Sequence, residues 1–213
     1  REMIDHKVEL SKQAFAVYSQ VGIGERVSLM RNIASKLELA SQVLVSLAAT
    51  ETHLSEARLK TELIRTVYQW NNYADACERT DWMSLRIDLA NKNSNPPRPD
   101  LRKTMLGLGP VVVFGASNFP FAYSTGGGDV ACALAAGCSV IVKAHPAHPK
   151  TSDAIAEAIS KAVDQCGLPQ HIFNLIHGTG YETGEQLVMH PLVSAVGFTG
   201  SLTGGRQIFE WGN

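Results

Sequence analysis

Apolar residues recur three and four positions apart through the first 78 residues, which is the period of an amphipathic helix. This spacing predicts a first helix that is separated from a second by Gly22 and Gly24, and a buried third helix over 41–49. Ser55 is a suitable N-cap for a fourth. We interpret residues 1–78 as a helical scaffold with no cluster of reactive side chains. The predicted inward-facing residues are Ala14, Val17, Val21, Val27, Met30, Ile33, Ala34, Leu37, Leu59, Leu63, Val67 and Trp70.

A different pattern occupies residues 79–109. The stretch 91–99 contains three prolines, which fix φ and remove backbone donors, so a regular helix is excluded there. The flanking segments 82–89 and 102–108 are predicted to pair as the strands of a projecting hairpin. Such a hairpin either meets a partner chain in an oligomer or is a plain surface loop, and both interpretations remain open.

From residue 110 onward, short apolar runs alternate with helical stretches. Continuous apolar strands separated by helices are typical of a parallel sheet that is covered on both faces. Residues 110–213 are therefore predicted to form an α/β core of Rossmann type with right-handed crossovers. Thr151 or Ser152 is expected to cap the second of its helices. The predicted strands are 111–114, 139–142, 172–176 and 195–198, and the predicted helices are 122–136, 152–163, 185–189 and 202–211.

Composition narrows the function classes. With 213 residues, 45% of them hydrophobic and 18% charged, the chain has the composition of an ordinary globular protein. A net charge of -1 argues against a nucleic-acid partner, because phosphate binding needs a basic excess. No apolar run approaches the roughly 18 residues that span a bilayer, so no membrane association is expected. Residues 1–10 are charged and mixed, unlike a secretory signal.

The chain has four cysteines, at positions 77, 132, 138 and 166, and none belongs to a C-x-x-C pair. Three of them lie in apolar stretches, as Cys132 does between two alanines, which favours buried, reduced thiols. Reduced thiols fit a cytoplasmic location better than a disulfide scaffold. His145 and His148 stand three residues apart, but Pro146 and Pro149 prevent a regular helix there, so no metal site is expected.

The chemistry is expected where the predicted strands end, because ligands of such sheets bind at the carboxyl edge. The loops 177–184 and 199–206 are rich in glycine and each precedes a helix, an arrangement that accepts phosphate. Gly178-x-Gly180-x-x-x-Gly184 misses the usual dinucleotide spacing by one residue, and no acidic residue follows about 20 positions later. Lys143 could hold a ribose or phosphate, or be a solvated strand end. Asn118 could be a turn residue or an oxyanion-binding amide.

Taken together, these loops resemble the aldehyde dehydrogenase superfamily. The residues that carry the resemblance are Gly115-Ala116-Ser117-Asn118-Phe119-Pro120, Val142-Lys143, Gly180-x-x-x-Gly184 and Phe198-Thr199-Gly200-Ser201-x-x-x-Gly205, together with Gly24-Glu25-Arg26 and Ile33-Ala34-x-x-Leu37-Glu38. Residues 114–120 and 142–149 look most similar to the branch of bacterial α-ketoglutaric semialdehyde dehydrogenases and vibrio-type fatty aldehyde dehydrogenases. The resemblance implies an aldehyde-dehydrogenase-like fold, a small aldehyde substrate and a homo-oligomer in the full-length form.

The resemblance also implies residue roles. Asn118 matches the catalytic asparagine whose amide stabilises the oxyanion, and Lys143 matches the lysine that contacts the adenosine ribose. Pro146 stands in place of an acid that would repel a 2′-phosphate, which favours NADP over NAD, although Tyr181 stands where the fatty aldehyde enzymes carry an arginine. The implied cofactor-binding set is Ala116, Ser117, Lys143, His145, Gly180, Gly184, Phe198, Thr199, Gly200, Ser201 and Gly205.

In that family a cysteine thiolate attacks the aldehyde, hydride passes to the nicotinamide, and a glutamate-activated water releases the acid. In the family, the cysteine and the glutamate both follow the Phe-Thr-Gly-Ser turn in the sequence. None of the four cysteines of this chain matches that nucleophile. We therefore expect the amino-terminal, cofactor-binding part of a longer enzyme, inactive alone and without the catalytic domain. One alternative is a non-catalytic truncated paralogue that binds a nucleotide or a full-length partner. Another is a different reductase using Tyr181 or Tyr123, although neither has a lysine four residues later.

Overall fold

The computed structural model describes residues 2–213. Four helices precede a two-stranded hairpin, and an alternating series of strands and helices completes the fold. The helices are α1 (Glu2–Tyr18), α2 (Ile23–Leu39), α3 (Ser41–Thr52), α4 (Glu56–Arg79), α5 (Gly128–Ala135), α6 (Pro149–Gln165), α7 (Glu182–Val188) and α8 (Leu202–Gly212). The strands are β1 (Arg86–Asp88), β2 (Leu101–Lys103), β3 (Val111–Phe114), β4 (Val140–Lys143), β5 (Phe173–Ile176) and β6 (Ala195–Phe198).

The main sheet has the order β5-β4-β3-β6, and each pair of neighbours is parallel. The last residues of the four strands are in register: Phe114 pairs with both Lys143 and Phe198, and Lys143 pairs with Ile176. All four following loops therefore leave the same edge of the sheet. The predicted α/β fold with a parallel sheet is confirmed.

Both faces of the sheet are covered by helices. Val113 and Val142 on one face belong to the same buried cluster as Leu29 and Trp70 of the amino-terminal helices. On the other face, Val112 and Ile141 pack with Ile4 and Val8 of α1 and with Leu187 of α7. Burial of apolar surface, at roughly 25 cal/mol per Å², thus joins the helical segment and the sheet into one unit. None of the helices within residues 2–213 combines the length and hydropathy that crossing a bilayer requires.

The four amino-terminal helices form where the spacing places them, with two corrections. Gly24 lies inside α2, so of the two glycines only Gly22 is in the segment between α1 and α2. The N–H of Gly22 donates to the Glu25 carboxylate at 3.1 Å. Val17 was expected to face inward, but its side chain is 57% exposed because α1 turns Ala14 and Tyr18 toward the core. Ser55 caps α4 as predicted, accepting a hydrogen bond from the Arg58 amide.

The hairpin is present, but its strands are shorter than expected. Trp82 belongs to a 3-10 turn, and pairing is confined to the three-residue strands β1 and β2 and to one bridge between Asn91 and Arg98. The predicted strands 82–89 and 102–108 therefore overestimate the paired length. The prolines of the connecting segment supply no N–H to extend the ladder.

Three details of the α/β core differ from expectation. Helix α5 begins at Gly128 rather than near residue 122, because residues 122–127 form turns, in which the Gly127 amide donates to the Ser124 carbonyl at 2.9 Å and the Gly128 amide to the Ala122 carbonyl at 3.1 Å. Helix α6 begins at Pro149, with neither Thr151 nor Ser152 as its cap. Helix α7 begins at Glu182, three residues earlier than predicted.

Helix α6 takes its cap from another helix. The carboxylate of Glu51, near the end of α3, accepts hydrogen bonds from the amides of Lys150 (2.9 Å) and Thr151 (2.8 Å) and from the Thr151 hydroxyl (2.7 Å). A negative charge at this end also complements the helix dipole. Burial alone would favour the neutral acid, but the hydrogen bonds from Thr151 and Lys150 outweigh it and lower the pKa of Glu51.

Candidate functional site

The loops at the carboxyl edge of the sheet enclose a cleft of about 770 Å³ that continues toward α7 and α8. Its walls come from all four of the loops that follow β3, β4, β5 and β6. The residues lining this cleft are Phe114, Gly115, Ala116, Ser117, Asn118, Tyr123, Lys143, His145, Pro146, Gly180, Tyr181, Gly184, Phe198, Thr199, Gly200, Ser201, Thr203, Gly204, Gln207, Ile208 and Trp211.

The cleft brings together all but one of the site residues expected from the sequence. Asn118 and Ser201, which are 83 positions apart in the chain, line the same cavity. Gly205 is the exception, because it does not belong to the lining, whereas its neighbour Gly204 does. The reason is that α8 turns by about 100° per residue and presents only one face to the cavity.

The loop after β3 is held close to the loop after β4. The amide of Gly115 donates to the carbonyl of Lys143 at 3.0 Å, and a Cβ on Gly115 would lie 2.7 Å from the Ser124 hydroxyl. Only glycine allows this approach. The buried ring of His148 adds a second tie, since its Nε2 lies 2.9 Å from the carbonyl oxygen of Ala116. These contacts fix the backbone from which Asn118 projects.

The loop after β6 leads directly into α8. The Ser201 hydroxyl caps this helix by accepting the Gly204 amide at 3.1 Å. The first-turn amides of Leu202 and Thr203 precede the first intrahelical bond and so have no intrahelical acceptor. Such an end carries a partial positive charge, and here Thr203 forms part of the cleft wall. The arrangement suits an anionic group such as a phosphate.

At the α7 end the cleft becomes a narrow apolar slot. Gly180 adopts φ +75°, and a Cβ on Gly184 would lie 3.0 Å from the Phe114 ring, so both positions depend on glycine. Tyr181 and Trp211 meet edge to face, with their ring centroids 6.4 Å apart. A flat aromatic ligand group would find matching surfaces here.

The basic residues of the cleft lining are Lys143 and His145. Lys143 is buried, which lowers the pKa of its ammonium group. The pKa of His145 is also lowered, first by burial and then by the nearby His148 and Lys143. The Nδ1 atom of His145 accepts the Ala147 amide at 3.1 Å, so its ring proton is on Nε2. No aspartate or glutamate belongs to the described lining of the cleft.

Neither a metal centre nor a thiol is found at this site. Within residues 2–213 no group of three His, Cys, Asp or Glu side chains converges as metal ligands do. His145 and His148 stack, with ring centroids 5.7 Å apart and planes inclined by 28°. All four cysteines are free and none lines the cleft. Cys77 and Cys138 are buried as expected, but Cys132 is exposed, because α5 turns it away from the core.

Residues 1–212 match the model of the aldehyde dehydrogenase family. The chain belongs to the aldehyde dehydrogenase family. This aldehyde dehydrogenase chain is 44% identical over 208 residues to an α-ketoglutaric semialdehyde dehydrogenase of Acinetobacter baylyi, covering 97% of this chain and 39% of that protein. It is also 44% identical over 211 residues to α-ketoglutaric semialdehyde dehydrogenase 2 of Azospirillum brasilense, covering 99% of this chain and 40% of that protein.

Solved structures of the family have the same fold. The NADP-dependent glyceraldehyde-3-phosphate dehydrogenase of Bacillus halodurans, complexed with NADP, superposes with a TM-score of 0.83 at 24% identity, covering all of this chain and 43% of that one. At this identity the likeness establishes the architecture alone. The chain spans about 40% of the length of the two curated relatives.

The structure adds residues to the cleft that were not among the cofactor-binding residues implied by the sequence. Phe114, Thr203, Gly204, Gln207, Ile208 and Trp211 line it, and His148 supports it from behind. The helical spacing of residues 204, 207, 208 and 211 on α8 is the one signal that could have found four of them.

Proposed function

We propose that the whole protein oxidises an aldehyde to a carboxylic acid, consuming water and reducing NADP or NAD, and that residues 110–213 hold the coenzyme. The observation that carries the proposal is that the Asn118 loop and the α8 end that Ser201 caps meet in one cleft. When bound, the coenzyme would supply the hydride acceptor. The chain supplies the surfaces that orient it beside the aldehyde.

The cleft fits a nicotinamide dinucleotide in its distribution of polar groups. The free amides at the start of α8 would face the pyrophosphate, with Ser201 fixing their direction. Lys143, at the end of β4, would bind the hydroxyl groups of the adenosine ribose. The slot beside Tyr181 and Trp211 would accept the adenine ring. Gly180 and Gly184 allow α7 to approach that closely.

Asn118 is proposed to bind the substrate oxygen. Its side chain is exposed in the cleft, and its amide N–H groups would stabilise the negative charge that develops on the aldehyde oxygen during attack. No cysteine lies in the cleft, so we propose that the attacking thiol and the carboxylate that activates water come from sequence outside these 213 residues. The 44% identity to two α-ketoglutaric semialdehyde dehydrogenases makes that aldehyde the first substrate to test.

The coenzyme is proposed to be NADP in preference to NAD. Pro146, Lys143 and His145 form the wall where a 2′-phosphate would lie, and no carboxylate belongs to the described lining there. A phosphate would meet a cation and a protonatable imidazole without repulsion. We also propose that the hairpin packs against a second copy of the chain. Leu85, Ile87 and Leu89 alternate through β1 and the residues on either side of it, and each is at least 60% exposed.

The test uses the whole protein with α-ketoglutaric semialdehyde and each coenzyme, and it follows the absorbance of the reduced coenzyme. Asn118→Ala should lower kcat about 100- to 1,000-fold while the Kd of the coenzyme changes less than about twofold. The matched control, Asn72→Ala on the exposed face of α4, should leave kcat unchanged. Coenzyme binding without any reduction would instead favour a non-catalytic paralogue, and full activity of Asn118→Ala would remove its proposed role.

A further inference from the structure

Helix α4 carries three charged residues, Arg58, Glu62 and Arg65, at intervals of four and three, so they share one face of the helix. All three bind the segment 118–123, which follows β3 and contains Asn118. The segment itself has no helix or strand. Its conformation therefore depends on these contacts.

Arg58 holds the backbone of Asn118 itself. Its guanidinium Nη2 donates to the Asn118 carbonyl oxygen at 2.6 Å, and the guanidinium carbon lies 4.9 Å from the centroid of the Phe119 ring. The two contacts fix both the position of the peptide group after Asn118 and the side chain that follows it. Because the side-chain amide of Asn118 is attached to this backbone, the Arg58 contact restricts where that amide can lie, in addition to the Gly115 and His148 contacts described above.

Glu62 holds the same segment three residues further on. One carboxylate oxygen accepts the amides of Phe121 (2.8 Å) and Ala122 (2.9 Å), and the side chain is only 5% exposed. Hydrogen bonds to an ionised acceptor are about twice as strong as neutral ones. Two buried amides on one carboxylate leave this turn little freedom to shift.

Arg65 and Trp70 complete the attachment. Arg65 donates to the Tyr123 hydroxyl at 2.9 Å, and the carbonyl of Tyr123 accepts the Ala116 amide at 2.8 Å, which closes the loop on itself. The Trp70 indole donates to the Gly126 carbonyl at 2.8 Å from a fully buried position. Helix α4 is in turn anchored in the core through Leu59 and Leu63, so it is a rigid support.

We propose that Arg58 and Glu62 are positioning residues that place the amide of Asn118 for oxyanion binding. Neither needs to touch the substrate or the coenzyme. The inference rests on the proposed function, since it assigns a purpose to the placement of Asn118. It extends that function from the cleft to a helix that the sequence marks only as scaffold. A displacement of about 1 Å of a catalytic group can cost about 100-fold in rate.

The first test is a double-mutant cycle in the whole protein. Arg58→Met should lower kcat about tenfold, with the Kd of the coenzyme unchanged within about twofold. In the Asn118→Ala background the same change should cost less than about twofold, because the amide it positions is already gone. Lys60→Met is the matched control, since Lys60 lies two residues away on α4 and contacts Glu56 but not the loop.

The second test does not depend on activity. Glu62→Gln keeps the shape of the side chain but replaces the ionised acceptor with a neutral one. Hydrogen exchange of the Phe121 and Ala122 amides should become about fivefold faster, and that of α2 should not change. Unchanged exchange at these two amides would show that Glu62 does not hold the segment.

The role of Asn118 and the positioning role of Arg58 can be overturned separately. If Asn118→Ala leaves kcat intact, the proposed role of Asn118 fails and the inference fails with it. If Asn118→Ala lowers kcat but Arg58→Met has the same effect in both backgrounds, only the positioning role is overturned. A loss of coenzyme affinity in Arg58→Met equal to its loss of kcat would also contradict the proposal, because it would indicate general distortion of the cleft.

Discussion

The Nε2 atom of His148 lies 2.9 Å from the carbonyl oxygen of Ala116, and the ring is fully buried. A carbonyl can only accept, so this nitrogen carries the ring proton. The other ring nitrogen lies 3.3 Å from the Ser152 hydroxyl. The imidazole thus joins the start of α6 to the loop after β3 and holds two walls of the cleft together.

Replacing His148 should remove the hydrogen bond to the Ala116 carbonyl and destabilise the protein. His148→Phe keeps a buried ring of similar size but leaves the Ala116 carbonyl without its donor, which costs about 1–3 kcal/mol. The urea midpoint of the whole protein should fall accordingly. His6→Phe, on the exposed face of α1, is the control and should change it by less than about 0.5 kcal/mol. Equal midpoints for the two variants would show that the bond contributes little.

Glu51 should stabilise the protein in a pH-dependent way. Its pKa in the folded protein is lowered from the ordinary 4.5, so its contribution is present above pH 4.5 and is lost as the pH falls through the folded value. Glu51→Gln should destabilise the protein by about 1–2 kcal/mol at neutral pH. In urea unfolding, the difference from the unmodified protein should narrow below pH 4.5. A constant difference at all pH values would contradict a role for the charge.

Glu38→Gln is the matched control for that measurement. Glu38 is exposed on α2, and its carboxylate does not cap a helix as that of Glu51 does. Its replacement should change the unfolding free energy at neutral pH by less than about 0.5 kcal/mol.

His145 should make NADP binding sensitive to pH. Burial, His148 and Lys143 lower its pKa below the ordinary 6.5, so the ring is neutral at pH 7. A bound 2′-phosphate would favour the protonated ring and raise that pKa, and each unit of increase strengthens binding tenfold at low pH. As the pH falls, the affinity for NADP relative to that for NAD should therefore rise more in the native protein than in the His145→Gln variant.

Calorimetry between about pH 7.5 and about pH 5.5 would measure both coenzymes on both proteins. The phosphate itself gains a proton near pH 6, but this affects the two proteins equally. Between these pH values, the NADP-to-NAD affinity ratio of the native protein is expected to increase about threefold or more beyond the increase in His145→Gln. If the two proteins show the same pH dependence, the 2′-phosphate does not lie beside His145.

The hairpin should mediate self-association of the whole protein. Ile87→Lys puts a charge on the apolar face that Leu85 and Leu89 share, and burying it in an interface without a partner is strongly unfavourable. Light scattering should then detect a smaller species. Lys103→Ala is the control, because Lys103 pairs with Arg86 on the opposite face. An unchanged mass for Ile87→Lys would favour a plain surface loop.

Long elements with a clear period were predictable from the sequence. Helix α3 and strands β3 and β6 lie within a few residues of their predicted bounds, and α2 and α4 form where the spacing places them. A single apolar pattern dominates each of them, a helical period in the helices and a continuous apolar run in the strands. The starts of α5 and α6 were not predictable in this way. Helix α5 begins after a set of turns over 122–127, and the amides at the start of α6 are bound by Glu51, which is 99 residues distant from Lys150.

Some residues of the candidate site were likewise predictable from the sequence, and others were not. The sequence could indicate Asn118, Lys143 and Ser201, since Lys143 ends an apolar strand, Asn118 lies in the loop after one, and Ser201 precedes a helix. It could not indicate Arg58 or Glu62, because a charged residue on a helix looks like an ordinary solvated position until the packed loop is known. It could not indicate that Gly204 rather than Gly205 lines the cleft, since the rotation of α8 about its axis is a tertiary property.

The sequence by itself determined the order of helices and strands, the edge of the sheet where the loops gather, and the family resemblance, because these depend on local period and on short motifs. Only the tertiary structure decided how the Asn118 loop is held and which side of α8 faces the cleft. Those features arise from hydrogen bonds between groups far apart in the chain, whose geometry exists only once the core has packed.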